Sequence, residues 1–197
     1  ARAAVIAGFT ATSDLEGGRT YDLGVAGTSA HSFTLVHDSE KEAFAAQIAT
    51  MGTGTTLLVD TYDITEGVNN AVAAAREAGG ELGAVRLDSG DLVAQAFTVR
   101  KQLDGLGATS TKITVTSDLD EYSIAALGAA PVDSYGVGTR VVTGSGHPTA
   151  EMVYKLVQRE GADGRMHEVA KSSKNKASVG GLKVAGRVCD QRGSAAQ

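Results

Sequence analysis

Apolar residues recur along this chain in two alternating rhythms. Thr55 to Val59, Ala84 to Asp88 and Lys112 to Thr116 are short runs with the length and β-branched content of buried strands. Between them the apolar residues step by three and four. Ile64, Val68, Ala71, Val72, Ala75 and Ala78 share one face of a predicted helix that Gly79-Gly80 stops. Leu92, Ala96, Val99, Leu103 and Leu106 do the same between Asp91 and Gly107. An earlier helix opens at Ser39 with Glu42, at capping-box spacing, and carries Ala43, Phe44, Gln47, Ile48 and Met51 on one face. Asp63 with Glu66 predicts another helix N-cap. Leu119 to Leu127 reads as a short helix, and Ser134 to Thr139 as a last strand ending in a glycine turn.

The order strand, polar end, helix repeats. Asp60 and Asp88 lie 28 positions apart, and Asp88 and Ser117 lie 29 apart, about one βα unit each. Repeated units of this kind imply a parallel sheet, either open and doubly wound or part of a closed barrel. The predicted class is α/β. An incomplete parallel (β/α) barrel-like core spans 1–150, and a C-terminal strand and hairpin extension over 151–197 packs on it. At the N-terminus, Ala1 to Gly8 is short and apolar and reads as the end of a helix running into a strand, and Leu23 to Thr28 is a second short apolar segment that ends in hydroxyls. In the extension, Met152 to Val157 alternates like an antiparallel strand, and Gly180-Gly181 is the expected hairpin turn.

Composition narrows the class of function. A 197-residue chain with 42% hydrophobic and 21% charged residues is globular, and its 25 glycines against 2 prolines suit close strand-to-helix turns. A net charge of -5 gives no reason to expect nucleic acid. The single Cys189 excludes an intramolecular disulfide framework, which fits a reducing cytoplasm. No apolar run approaches a membrane span and no secretory leader is evident, so no membrane partner is expected. The chain begins at Ala1 without a Met, as a fragment or processed product would.

Ligands of parallel sheets bind outside the C-terminal ends of the strands, and every charged cluster of this chain falls there. Val85-Arg86-Leu87-Asp88-Ser89-Gly90-Asp91 is the densest. Side chains two apart on a strand point the same way, so Arg86 and Asp88 converge. Together they suit an anionic ligand and a sugar hydroxyl or metal, or else a structural ion pair; Ser89 adds polar capacity. Asp60 ends the preceding strand, where a carboxylate can hold Mg²⁺ or a ribose. Ser117 and Asp118 end the next strand. After Tyr135, the backbone of Gly136 and Gly138 and the Thr139 hydroxyl form a candidate phosphate cradle, although tight turns use glycine anyway. His31 follows Gly27-Thr28-Ser29-Ala30, but a lone histidine is more often a surface or core residue. His37, His147 and His167 are weaker candidates, and no pair has metal-ligand spacing. Lys171, Lys174, Lys176, Lys183 and Arg187 read as a solvated face, or as a lid over a polyphosphate.

Six motifs in order make the chain resemble the nicotinate phosphoribosyltransferases. They are Gly8-Phe9 with Ala11-Thr12-Ser13, Gly27-Thr28-Ser29-Ala30-His31-Ser32, Leu58-Val59-Asp60-Thr61-Tyr62-Asp63, Arg86-Leu87-Asp88-Ser89-Gly90-Asp91, Thr116-Ser117-Asp118-Leu119-Asp120 and Tyr135-Gly136-Val137-Gly138-Thr139. Val153 to Val157 and Lys171-Ser172 extend the likeness. The resemblance implies formation of nicotinate mononucleotide and pyrophosphate from nicotinate and 5-phosphoribosyl 1-pyrophosphate, in NAD salvage. It implies Mg²⁺ with the pyrophosphate, ATP as co-substrate through a phosphohistidine at His31, and sites built between two subunits. It assigns Thr28 and Arg86 to nicotinate and Thr139 to the phosphoribosyl group. Asp88 suits stabilisation of the cationic sugar. The family usually has Asn where this chain has Asp14, and its members are about twice as long. The alternatives are a non-catalytic fragment that binds phosphoribosyl ligands, or a relative that uses nicotinamide or quinolinate.

Overall fold

The computed structural model describes residues 1–172, 177–186 and 188. Lys174, Lys176, Arg187 and Cys189 lie outside the described residues. Four short helices or helical segments lead in: α1 (Arg2–Ile6), α2 (Leu15–Tyr21), α3 (His31–Leu35) and α4 (Glu40–Met51). Four βα units follow as β1 (Thr56–Leu58), α5 (Ile64–Glu77), β2 (Ala84–Leu87), α6 (Leu92–Gly105), β3 (Lys112–Val115), α7 (Glu121–Leu127), β4 (Ser134–Tyr135) and α8 (Thr139–Thr143). A separate antiparallel pair, β5 (Gln158–Glu160) and β6 (Met166–Glu168), completes the described elements.

The four strands of the main sheet are all parallel and stand in chain order, β1-β2-β3-β4. The helices α5, α6 and α7 contribute side chains to one core against the sheet, as right-handed crossovers between consecutive parallel neighbours dispose them. This is a singly wound arc rather than a doubly wound sheet, and it is open, not a closed barrel. Alternation along the strands turns Leu57, Val59, Val85, Leu87, Ile113 and Val115 toward the helices. There they form one core with Phe44, Ile48, Val68, Val72, Val99 and Leu103. The opposite face carries Thr56, Ala84, Lys112, Thr114 and Ser134, which line an open cavity of ≈ 450 Å³ together with Glu81, Leu82 and Ser110. That cavity sits at the N-terminal ends of the strands, away from the charged strand ends.

Each helix that follows a strand of the first three units starts on an aspartate cap. Asp63 accepts from Glu66 N, Asp91 from Ala94 N, and Asp120 from Ser123 N in a reciprocal box. Ser39 caps α4 as its spacing predicts, accepting from Glu42 N. Asp14 caps α2 through Gly17 N, a task that Asn performs equally well. Its added charge therefore lies at a helix N-terminus and on the surface.

Three expectations are corrected. Ala1 to Gly8 does hold a helix, α1, but runs into no strand; the nearest pairing is a single parallel bridge, Thr12 to Val25. Met152 to Val157 is not a strand either, and Met152, Val153 and Tyr154 are exposed. The hairpin turn falls between β5 and β6, not at Gly180-Gly181, whose 181 N–H instead donates to Val157 O. Weak alternation misled here because strand formation depends on packing of one face, and Met152, Val153 and Tyr154 are exposed.

Candidate active site

The C-terminal ends of β1 and β2 gather the charged groups. Asp60, two residues past β1, is fully buried. Its Oδ2 accepts from Ser89 Oγ at 2.6 Å and from Asp88 N at 3.2 Å, while Oδ1 has no hydrogen-bond partner among the described residues. Ser89 can reach back in this way because Gly90, at φ +90°, turns the chain in the left-handed region where a side chain would be strained. The last residue of the stretch, Asp91, is spent on the α6 cap. Asp88 alone therefore faces the site. It accepts from Thr116 Oγ1, and its other oxygen lies 3.6 Å from His31 Nε2.

Arg86 points out of β2 as its alternation predicts. Its Nη2 is 3.7 Å from Asp88 Oδ1, and its Nη1 donates to Thr28 Oγ1 and to Ser29 O. Burial pulls its pKa below the ordinary guanidinium value, against the opposing charges of Asp88 and Asp60. The guanidinium Nε has no partner among the described residues. The Thr28-Ser29 loop is itself held by Gln47. Ser29 Oγ donates to Gln47 Oε1 at 2.8 Å, and Gln47 Nε2 donates to Thr55 Oγ1 and Thr56 O, both at 2.9 Å. Gln47, a buried polar residue of α4, thus ties the loop to the start of β1.

His31 opens α3, and four groups surround its ring. Nδ1 is 3.0 Å from the buried Thr61 Oγ1, and Nε2 is 2.7 Å from Lys171 Nζ. The carboxylates of Asp88 and Asp60 stand 3.6 and 3.9 Å from Nε2. An ammonium can only donate, so Nε2 accepts and the ring proton belongs on Nδ1, donating to Thr61.

The structure thus brings together Thr28, His31, Asp60, Arg86, Asp88 and Ser89. Ser117, Asp118, Gly136, Gly138 and Thr139 stand at the ends of β3 and β4 beside that cluster. Ser117 and Asp118 both have positive φ, 102° and 27°, a strained bend of the kind found at ligand-binding turns. Gly136 N–H donates to Val115 O as part of the sheet, so it is not available to a phosphate; Gly138 and Thr139 are exposed at the start of α8. His37 bonds Phe33 O, His167 bonds Asp163, and His147 O accepts from Arg140; none of these three meets the cluster. Thr61, Thr116, Gln47 and Lys171 belong to the site and were not assigned to it by sequence. Thr61, Thr116 and Lys171 had a positional signal, since each lies within a stretch that carries the family likeness; Gln47 had none. Lys171 is buried at 3% exposure, which overturns its reading as part of a solvated face.

Among the described residues no cluster of three or more His, Cys, Asp or Glu suits a metal ion, and no helix is long and apolar enough to cross a membrane.

Comparison with known proteins follows the same direction. No protein-family profile matches the chain. Nicotinate phosphoribosyltransferase pncB1 of Mycobacterium tuberculosis is 56% identical over 193 residues, which cover 94% of this chain and 41% of that protein. The nicotinate phosphoribosyltransferase of Bacillus subtilis is 40% identical over 198 residues, covering 97% and 40%. A crystal structure of the nicotinate phosphoribosyltransferase from Porphyromonas gingivalis superposes with a TM-score of 0.69 at 22% identity, over 85% of this chain and 47% of that one, a likeness of fold. The chain spans about two fifths of the length of the curated relatives it matches. Over that span, the chain belongs to the nicotinate phosphoribosyltransferase family.

Proposed function

We propose that this chain carries catalytic strand ends of a nicotinate phosphoribosyltransferase of NAD salvage. The observation that carries the reading is the convergence of His31, Arg86, Asp88 and Lys171 within hydrogen-bond or ion-pair reach of one another. The proposed reaction joins nicotinate to 5-phosphoribosyl 1-pyrophosphate. The pyridine nitrogen attacks C1 of the sugar, the C1–O bond breaks, and pyrophosphate leaves with the electron pair. Arg86, oriented by Thr28 and Ser29, is the cation for the nicotinate carboxylate. Asp88 opposes the positive charge that grows on the ribose as the bond loosens. Gly138 and Thr139 are the candidate contacts for the sugar phosphate, and Ser117 and Asp118 line the approach between. Mg²⁺ is proposed to arrive with the pyrophosphate as part of the substrate.

ATP coupling is proposed to run through His31. A neutral imidazole held by Thr61 has the lone pair that a phosphoryl acceptor needs. The test is incorporation of labelled nicotinate by the intact protein, with nicotinamide and quinolinate as competing substrates. Nicotinate is expected to be preferred. His31→Ala is expected to lower ATP-dependent product about a hundredfold or more, the scale of losing a group that takes part in the chemistry. ATP-coupled activity that survives His31→Ala would sink the phosphohistidine assignment.

The open sheet and the two-fifths span favour one second reading, a subunit or fragment that binds phosphoribosyl ligands without turnover. Tight binding of 5-phosphoribosyl 1-pyrophosphate with no product from any of the three substrates would support it.

A further inference from the structure

We infer that Lys171 is a further functional residue, the buried ammonium that balances the charge of a phosphoryl group on His31. The inference rests on the phosphohistidine reading above and names the group that makes it electrostatically feasible.

Lysine is rarely buried unless its charge has partners. Lys171 is 3% exposed, 140 positions from His31 in sequence, with Nζ 2.7 Å from His31 Nε2 and 4.0 Å from Asp60 Oδ2. Its backbone is pinned there. Ser172 N donates to Thr61 O at 3.1 Å, and Lys171 exchanges hydrogen bonds with Ser178 at 2.9 Å each way. The segment is thus fastened to the strand end that supplies both Asp60 and Thr61, so the ammonium is placed relative to His31 by the main chain and not by a flexible surface tether.

The surroundings demand a cation. Transfer from ATP has a ring-nitrogen lone pair attack the γ-phosphorus. The bond to the bridging oxygen breaks, and ADP leaves with the electron pair. The proton already on the other ring nitrogen stays, leaving a phosphoimidazolium. The phosphoryl oxygens bring two negative charges, only one of them offset by the imidazolium ring, toward Asp88 and Asp60, whose carboxylates stand 3.6 and 3.9 Å from Nε2. Unopposed, that repulsion disfavours the intermediate. Arg86 is turned toward Thr28, Ser29 and Asp88. Lys171 is in hydrogen-bond range of the ring, and a short movement of its stem transfers a donor from the ring nitrogen to a phosphoryl oxygen.

The test compares Lys171→Met, which keeps the apolar stem, with Lys171→Arg, which keeps the charge but is larger. The intact protein is incubated with γ-labelled ATP, and acid-labile label on His31 is measured together with thermal melting. Lys171→Met is expected to fold and to lose about tenfold or more of the label, the scale of one charge-assisted hydrogen bond. Lys171→Arg is expected to retain more label than Lys171→Met. A purely structural role predicts the reverse order, since Arg overfills a buried site and Met does not, and that result would overturn the inference. Lys171→Met labelled as well as the parent would overturn it too, with the phosphohistidine reading intact. A parent protein that takes no label would remove the phosphohistidine reading, and this inference with it. Should Lys171→Met fail to fold, Lys171→Arg alone decides: label near the parent level supports the charge role, and its loss in a folded protein opposes it.

Discussion

The arc of βα units and the segment after residue 150 follow opposite rules. In the arc, Leu57, Val85, Leu87, Ile113 and Val115 are completely buried, and charged residues that point inward do so at strand ends. In the later segment, Met152, Val153, Tyr154 and Leu182 are 71–90% exposed while a lysine is buried. The arc earns its stability from periodic apolar packing, which is local and redundant. The later segment adds little to that core, yet it reaches the middle of the charged cluster through one pinned residue. Arg159 fastens it further, donating to His37 O and pairing with Asp38 at the start of α4. The arc therefore supplies the core and most of the charged cluster, and the later segment adds one residue, Lys171, to that cluster.

That contrast can be broken by substitution. Leu87→Ala opens a cavity against the helices and is expected to cost about 2–5 kcal/mol in denaturant unfolding. Met152→Ala, the same kind of truncation at 90% exposure, is expected to stay within about 0.5 kcal/mol. Equal losses at the two positions would mean that the later segment is part of the core after all.

A smaller effect probes the cluster itself. Ser89→Ala removes the hydroxyl that donates to the buried Asp60 carboxylate. The expected loss is about 1–3 kcal/mol, the cost of depriving a buried charge of one donor. An unchanged unfolding midpoint would show that Asp60 does not depend on Ser89.

The smallest effect depends on pH. Glu40 lies at the start of α4, buried, with Asn70 donating to one oxygen and the other without a partner among the described residues. Burial pushes its pKa above the ordinary 4.5. The folded state then keeps the proton when the unfolded chain has lost it, so stability falls as pH rises through that window. Glu40→Gln is expected to melt higher than the parent near pH 7 and equally near pH 4. A parent advantage at pH 7 would contradict the sign.

Much of the fold was legible because its signals are local. The helical faces of Ile64 to Ala78 and of Leu92 to Leu106, the aspartate cap at Asp63, and the 28–29-residue spacing of strand ends depend on neighbours a few residues away. The convergence of Arg86 and Asp88 followed from strand alternation. Gly136 was misjudged as a phosphate donor because sequence does not say whether an N–H is already used in a ladder. Gln47 shares a helical face with Ala43, Phe44 and Ile48 in the sequence, and its role appears only when the Thr28-Ser29 loop folds over it.

The sequence by itself determined an α/β chain of repeated βα units, the strand ends where charge collects, and membership of a family. Those follow from periods of two and 3.6 residues and from motifs read in order. Only the tertiary structure decided that the sheet is an open arc, that Asp91 caps a helix while Asp88 faces the site, and that Lys171 lies on His31. Those outcomes depend on which backbone donors are already taken and on contacts across as many as 140 positions, and no local pattern encodes a meeting at that distance.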